Sequence, residues 1–234
     1  MRVAIVENTR ITHHGQVGVA LHEAGALIDL WRPFVDQRLP DGPQDFDALV
    51  VFGGEQSAMD DAAHPYLPRL AALMAATTAA GKPVLGICLG AQILARGFGA
   101  DSHLGTAPEF GWVQVGLTDV GKADPVFAGI VPAFPIFQWH SDTFTLPVGA
   151  MHLASSAGAT NQCYRIGRAT YGMQFHFEAS RAVVADWTHT FPDLTERMEH
   201  GWIAAHPARA QTQGKNADAT GLQIARNWVA LIQP

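Results

Sequence analysis

Cys88 stands in the stretch KPVLGICLGAQILARGFGA (82–100), between a short apolar run and a helix-forming segment of small residues. Gly86 and Gly90, two positions away on either side, fit a G-x-nucleophile-x-G turn, in which a tight, strained strand-to-helix joint exposes the nucleophile. Far downstream, YGMQFHFEAS (171–180) carries His176 and Glu178 with one residue between them. A thiol, an imidazole and a carboxylate are the parts of covalent acyl transfer. Cys88 would attack a carbonyl carbon, His176 would take the thiol proton and give it to a leaving nitrogen, and Glu178 would fix the ring tautomer.

Each residue also has a purely structural explanation. Unpaired cysteines are among the most buried residue types, a strand histidine is commonly satisfied by a neighbour, and Glu178 could be the N-terminal acid of a helix over EASRAVVADW. The three together favour chemistry. If PVLGI is a buried strand and AQILARGF a helix, Cys88 lies at the carboxyl end of a sheet strand, the edge where open α/β sheets bind ligands. The helix beginning at Leu89 turns its positive dipole end toward the sulfur, which favours negative charge there. The Leu89 N–H is placed to donate to an oxyanion. His176 and Glu178, alternate residues at the end of a strand, would share one face while Phe175 and Phe177 pack inward or sideways.

The elements that must hold these residues follow from the pattern. RVAIVE (2–7), ALIDLWR (26–32), DALVVFGG (47–54) and PVLGIC (83–88) read as strands, with helices near 15–25, 65–81 and 89–98. That alternation predicts an α/β fold with an open, mostly parallel central sheet flanked by helices. Beyond residue 110, GWVQVGL, AFPIFQWHSDTFTLP, MHLASS, CYRIG and ATYGMQFHFE predict an additional mixed or antiparallel strand region. From Ala179 onward two or three helices are expected, with a loose polar loop near 211–220. The whole of 1–234 reads as a single domain, the C-terminal helices of about 179–234 packed on it.

Composition narrows the partners. The net charge of −6 is spread without a basic block, which argues against nucleic acid and against an anionic membrane surface. No apolar run is long enough to span a bilayer, and the polar turn after MRVAIV argues against a signal peptide. Two cysteines, Cys88 and Cys163, point to free thiols in a reducing cytoplasm. Cys163 lacks a glycine elbow and reads as inert. His13 and His14 are adjacent in an expected loop and read poorly as metal ligands, His140 reads as packed, and the scattered tryptophans read as core or interface filler.

The motifs resemble those of the class I, or triad-type, glutamine amidotransferases, in the branch that includes GMP-synthetase-like free-standing proteins. GICLGAQ (86–92) is similar to that family's nucleophile elbow and GMQFHFE (172–178) to its G-x-Q-F-H-P-E segment. VVFGGEQSAMD (50–60) resembles its glycine loop, and QWHSDTF (138–144) resembles the segment that holds the glutamine amino-acid head. The resemblance implies a flavodoxin-like fold and a triad of Cys88, His176 and Glu178. It implies an oxyanion hole from the N–H groups of Gly54 and Leu89, with Gln92, Ser141 and Asp142 gripping the substrate. No metal or cofactor is implied. The chain departs from the pattern at Phe177, where proline is usual, and at Glu55-Gln56 in the glycine loop.

The expected activity is hydrolysis of the glutamine side-chain amide through a γ-glutamyl thioester on Cys88, releasing ammonia to a separate synthetase partner. The same triad would serve a γ-glutamyl hydrolase or peptidase acting on γ-glutamyl peptides or amines. A non-catalytic binding or regulatory protein on the same fold is the alternative of another class.

Overall fold

The computed structural model describes residues 1–232. The first hundred residues alternate strand and helix: β1 (Arg2–Val6), α1 (Gly15–Glu23), β2 (Leu27–Trp31), α2 (Pro33–Asp36), β3 (Ala48–Val51), α3 (Leu67–Ala79), β4 (Val84–Ile87) and α4 (Leu89–Gly97). Then come β5 (Ser102–His103), β6 (Glu109–Leu117), α5 (Asp119–Lys122), β7 (Ala133–His140), β8 (Thr143–Phe144), β9 (Met151–Ser156), β10 (Cys163–Ile166) and β11 (Thr170–Met173). The fold is α/β, with a large open sheet flanked by helices.

Nine strands form that sheet in the order β2-β1-β3-β4-β11-β10-β9-β6-β7. Pairing is parallel from β2 across to β11. It is antiparallel from β11 across to β7. The antiparallel strands therefore continue the parallel sheet, with β11 as the joint between the two regimes.

Successive strand residues alternate between the two faces. Val3 and Ile5 of β1 and Ala48 and Val50 of β3 enter one core with α1 and the C-terminal helices, while Ala4, Val6, Leu49 and Val51 enter the other with α3 and α4. Both faces are covered, which is why these strands read as continuous apolar runs rather than alternating ones.

Two expectations are corrected. The strand foreseen over 169–178 stops at Met173: Gln174 N–H still donates to Gln162 O beside β10, but His176 N–H turns away to Phe137 O, each at 2.8 Å. The chain thus leaves β4 and crosses toward β7, touching it only by an isolated bridge at Phe137 and His176. Among the described residues the C-terminal region holds four helices rather than two or three: α6 (Arg181–Thr190), α7 (Pro192–Met198), α8 (Trp202–Arg209) and α9 (Lys215–Val229). A π-helical turn, Ala210–Gly214, leads into α9 where a loop was expected. Its loop-like composition is put to use in packing. Asp218 accepts from the Arg181 backbone and guanidinium at 2.8 and 2.7 Å, and a Cβ on Gly214 would press on Trp112 at 2.8 Å. Gln233 and Pro234, the end of the expected helical region, lie outside the described residues.

The β4–α4 joint is packed backbone against backbone, both on itself and on β3. A Cβ on Gly90 would fall 2.1 Å from Val51 O, and one on Gly86 would fall 2.4 Å from Gly90 O. Backbone cannot yield as a flexible side chain would. Gly90→Ala is expected to lower the unfolding free energy by about 2–3 kcal/mol in urea titration. A change below ~0.5 kcal/mol, the ordinary surface range, would overturn this account of the joint.

Candidate active site

Cys88 is the hinge residue of that joint, with φ +52° and ψ −110°. A non-glycine residue held in such a conformation carries about 1–3 kcal/mol of strain, sustained only where the surroundings over-determine it. Here Cys88 N–H donates to Met173 O at 2.8 Å on the neighbouring strand, and the glycine contacts on either side close the turn. The sulfur ends up 3.8 Å from Trp139 O, at the N-terminus of α4.

His176 comes to Cys88 over the glycine loop. A Cβ built on Gly53 would lie 3.1 Å from His176 Cε1 and 3.4 Å from Cys88 Cβ, so the three residues crowd one point. His176 Nδ1 lies 2.7 Å from Glu178 Oε1. An ionised carboxylate can only accept, so Nδ1–H donates and Nε2 is the ring atom available for proton transfer. Burial disfavours the imidazolium, but the Glu178 carboxylate and the Cys88 sulfur outweigh it and hold His176 well above its ordinary value. His176 and Glu178 do not owe their meeting to strand alternation, since β11 has already ended. The short turn after the Phe137 bridge brings them together, and Phe175 and Phe177 are fully buried on either side. Phe177 occupies the usual proline position as a core anchor, and its carbonyl packs against Gly221, whose absent Cβ would lie 2.1 Å away.

The glycine loop is held from behind. Asn8 Nδ2 donates to Phe52 O at 2.7 Å, Gln56 Nε2 donates to Asn8 O and Tyr66 Oη at 3.0 and 2.6 Å, and Tyr66 O–H donates to Asn8 Oδ1. Burial pushes the Tyr66 phenol up to about 12, so it remains a donor at neutral pH. Gln56, a departure from the family pattern, is thus part of the loop's support, while Glu55 accepts from Thr9 Oγ1 at 2.8 Å.

A cavity of about 930 Å³ opens over Cys88, His176, Glu178, Gly53 and Gly54. Gln92, Ser141 and Asp142 are not among its lining residues. The Gln92 amide donates to Gln174 Oε1 at 3.1 Å and toward Asp142 O at 3.4 Å, and the Asp142 carboxylate accepts from Gly105 N–H at 2.8 Å. The Gln92 side chain is buried, Asp142 is half-buried and Ser141 is exposed. Two groups escaped the sequence reading: the 8–13 segment, and an aromatic wall of Trp139, Trp187 and Phe191. Only Trp139, adjacent to His140 in QWHSDTF, lay within a motif. His140 is buried 3.3 Å from Glu109. His13 and His14 separate, to Asp186 and Glu7 at 2.8 and 2.9 Å. Among the described residues no cluster of three His, Cys, Asp or Glu could hold a metal ion, and no helix is long and apolar enough to cross a membrane.

Comparison with known proteins agrees with this fold. The family model for glutamine amidotransferase class-I matches residues 20–191, and the chain belongs to that family. It is 32% identical over 181 residues to the glutamine amidotransferase-like protein YfeJ of Salmonella typhimurium, covering 76% of each chain. It is 28% identical over 177 residues to a glutamine-hydrolyzing GMP synthase subunit of Methanoregula boonei, covering 74% of this chain and 89% of that one. The crystal structure of a glutamine amido transferase from Methylobacillus flagellatus superposes with a TM-score of 0.89 at 26% identity, over 99% of this chain and 95% of the other.

Replacing Glu178 by Gln should lower the titration midpoint of His176, followed by NMR of the ring; an unmoved midpoint would show that Glu178 does not set its charge. Because the folded value is raised, the stability from this pairing is full below the ordinary value of 6.5 and lost as pH rises through the raised one. The parent's advantage over Glu178→Gln in urea should therefore shrink as pH is raised above 6.5.

Both cysteines are free, but Cys163 has no exposed surface and burial pushes its thiol well up. Iodoacetamide is expected to add one equivalent, at Cys88, to the folded protein and a second only in denaturant. Modification of Cys163 in the folded state, located by peptide mass spectrometry, would contradict this.

Proposed function

We propose that the chain, acting as a single domain over 1–234, hydrolyses the side-chain amide of glutamine through a γ-glutamyl thioester on Cys88. The observation that carries this is the His176 Nδ1 to Glu178 Oε1 contact of 2.7 Å beside a cysteine held at φ +52° on a strand-to-helix elbow. Sulfur attacks the amide carbon, and the negative charge on the carbonyl oxygen is met by the N–H groups of Gly54 and Leu89. The proton held at His176 Nε2 goes to the leaving nitrogen as the C–N bond breaks. Water, deprotonated by the same nitrogen of His176, then attacks the thioester, and glutamate leaves as the thiol is restored. Oxyanion donors of this kind each contribute roughly a hundredfold or more in rate.

Gln92, Ser141 and Asp142 enter as the grip on the amino-acid head, and for Gln92 that requires its amide to exchange Gln174 for substrate. A separate synthetase is the proposed receiver of ammonia, supported by the likeness to the GMP synthase subunit of Methanoregula boonei.

Incubation with glutamine should release glutamate and ammonia. An electrophilic glutamine analogue should add its mass at Cys88, and Cys88→Ala should lower kcat by about a thousandfold or more. Full activity in Cys88→Ala would refute the mechanism. No turnover and no labelling, with the fold intact by circular dichroism, would favour a binding or regulatory protein.

A further inference from the structure

The cavity over Cys88 is far larger than glutamine needs. At about 930 Å³ it reaches the upper part of the ~300–1,000 Å³ range of sites that enclose drug-sized ligands. Ammonia as leaving group would occupy almost none of it.

Which side of the scissile bond faces this space follows from the histidine. The leaving nitrogen must lie against the ring that protonates it. The His176 ring meets Trp187 edge to face, with centroids 5.4 Å apart at 78°. Trp187 meets Trp139 in the same manner at 5.6 Å, and Trp139 meets Phe191 at 6.2 Å. A substituent on the leaving nitrogen would therefore run along this aromatic wall, which lines the cavity together with Leu194. Gln92, Ser141 and Asp142, proposed above to hold the amino-acid head, are not among the residues lining the cavity, whereas the aromatic residues beside His176 are.

The geometry points to γ-glutamyl amides whose nitrogen carries an aromatic or arylalkyl group as the substrate class of this site, an inference that rests on the Cys88 acyl-transfer mechanism above. Sulfur bonds to the γ-carbonyl carbon, the C–N bond breaks, and the arylalkylamine leaves with the proton from His176. Water then cleaves the thioester, giving glutamate and returning the proton to His176. The net reaction is amide plus water to carboxylic acid plus amine, with no oxidant or further reactant.

The test compares three substrates on the intact protein: L-glutamine, γ-glutamylethylamide and γ-glutamylphenethylamide. The last two have leaving amines of similar basicity, so the aromatic ring is the variable. Burial of the ring against the wall should raise kcat/KM for the phenethylamide over the ethylamide by about tenfold or more. Phe191→Ala should reduce that ratio at least fivefold, and Leu194→Asp, at a position 37% exposed and tolerant of a polar residue, should do the same if Phe191→Ala folds poorly. A phenethylamide-to-ethylamide ratio near one, or no amide turnover beside brisk glutamine hydrolysis, would overturn the inference while leaving the glutaminase mechanism standing. Absence of turnover on all three, without labelling of Cys88, would overturn both.

Discussion

The backbone contact between Gly90 and Val51 is the constraint on which the site depends. Because no Cβ intervenes, the first turn of α4 rests directly on β3, and the chain between β4 and α4 must reverse within one residue. That residue is Cys88, forced to positive φ with its sulfur at the rim of the sheet. The same closeness places the sulfur beside the loop that follows β3. Cys88 and the glycine loop are therefore set by one contact between the first turn of α4 and the end of β3, and a looser joint would separate them.

The histidine side is built on different physics. No regular element carries His176 to Cys88; β11 ends three residues earlier, and the segment survives as a single bridge to Phe137. Its position is fixed by the burial of Phe175 and Phe177 to either side and by backbone contacts at Phe177 O and Glu178 O. Charge completes the arrangement: a buried imidazole flanked by a carboxylate and a sulfur is favoured in its protonated form despite desolvation.

Much of this was legible in the sequence, and what was not has physical reasons. The parallel strands and the first helices announced themselves because strands covered on both faces must be apolar throughout, and the glycines around Cys88 announced the elbow because only glycine fits there. The His176–Glu178 spacing indicated the right neighbours for a wrong reason, since a turn rather than strand alternation unites them. The 211–220 segment was misread because loop-like polar residues can serve as helix-to-helix contacts, as Asp218 does with Arg181. That Gln92 bonds to Gln174 and toward Asp142, and that neither Gln92, Ser141 nor Asp142 lines the cavity, could not be read from motifs that carry no information on side-chain direction. The aromatic wall was hidden because Trp187 and Phe191 look like any core residue until α6 is laid beside Trp139.

One packing detail bears on how the molecule comes off the ribosome. A Cβ on Gly15 would fall 1.9 Å from Glu178 O, Gln16 N–H donates to that same oxygen at 2.9 Å, and Gly221 presses on Phe177 O. The His176–Glu178 turn is thus clamped between α1, which is made before it, and α9, which is made after it. As synthesis proceeds from the N-terminus, the glycine contacts of the Cys88 elbow are made long before the His176–Glu178 turn can be clamped. Until α9 has emerged, Cys88 has its glycine turn, but the His176–Glu178 turn beside it is clamped from one side only.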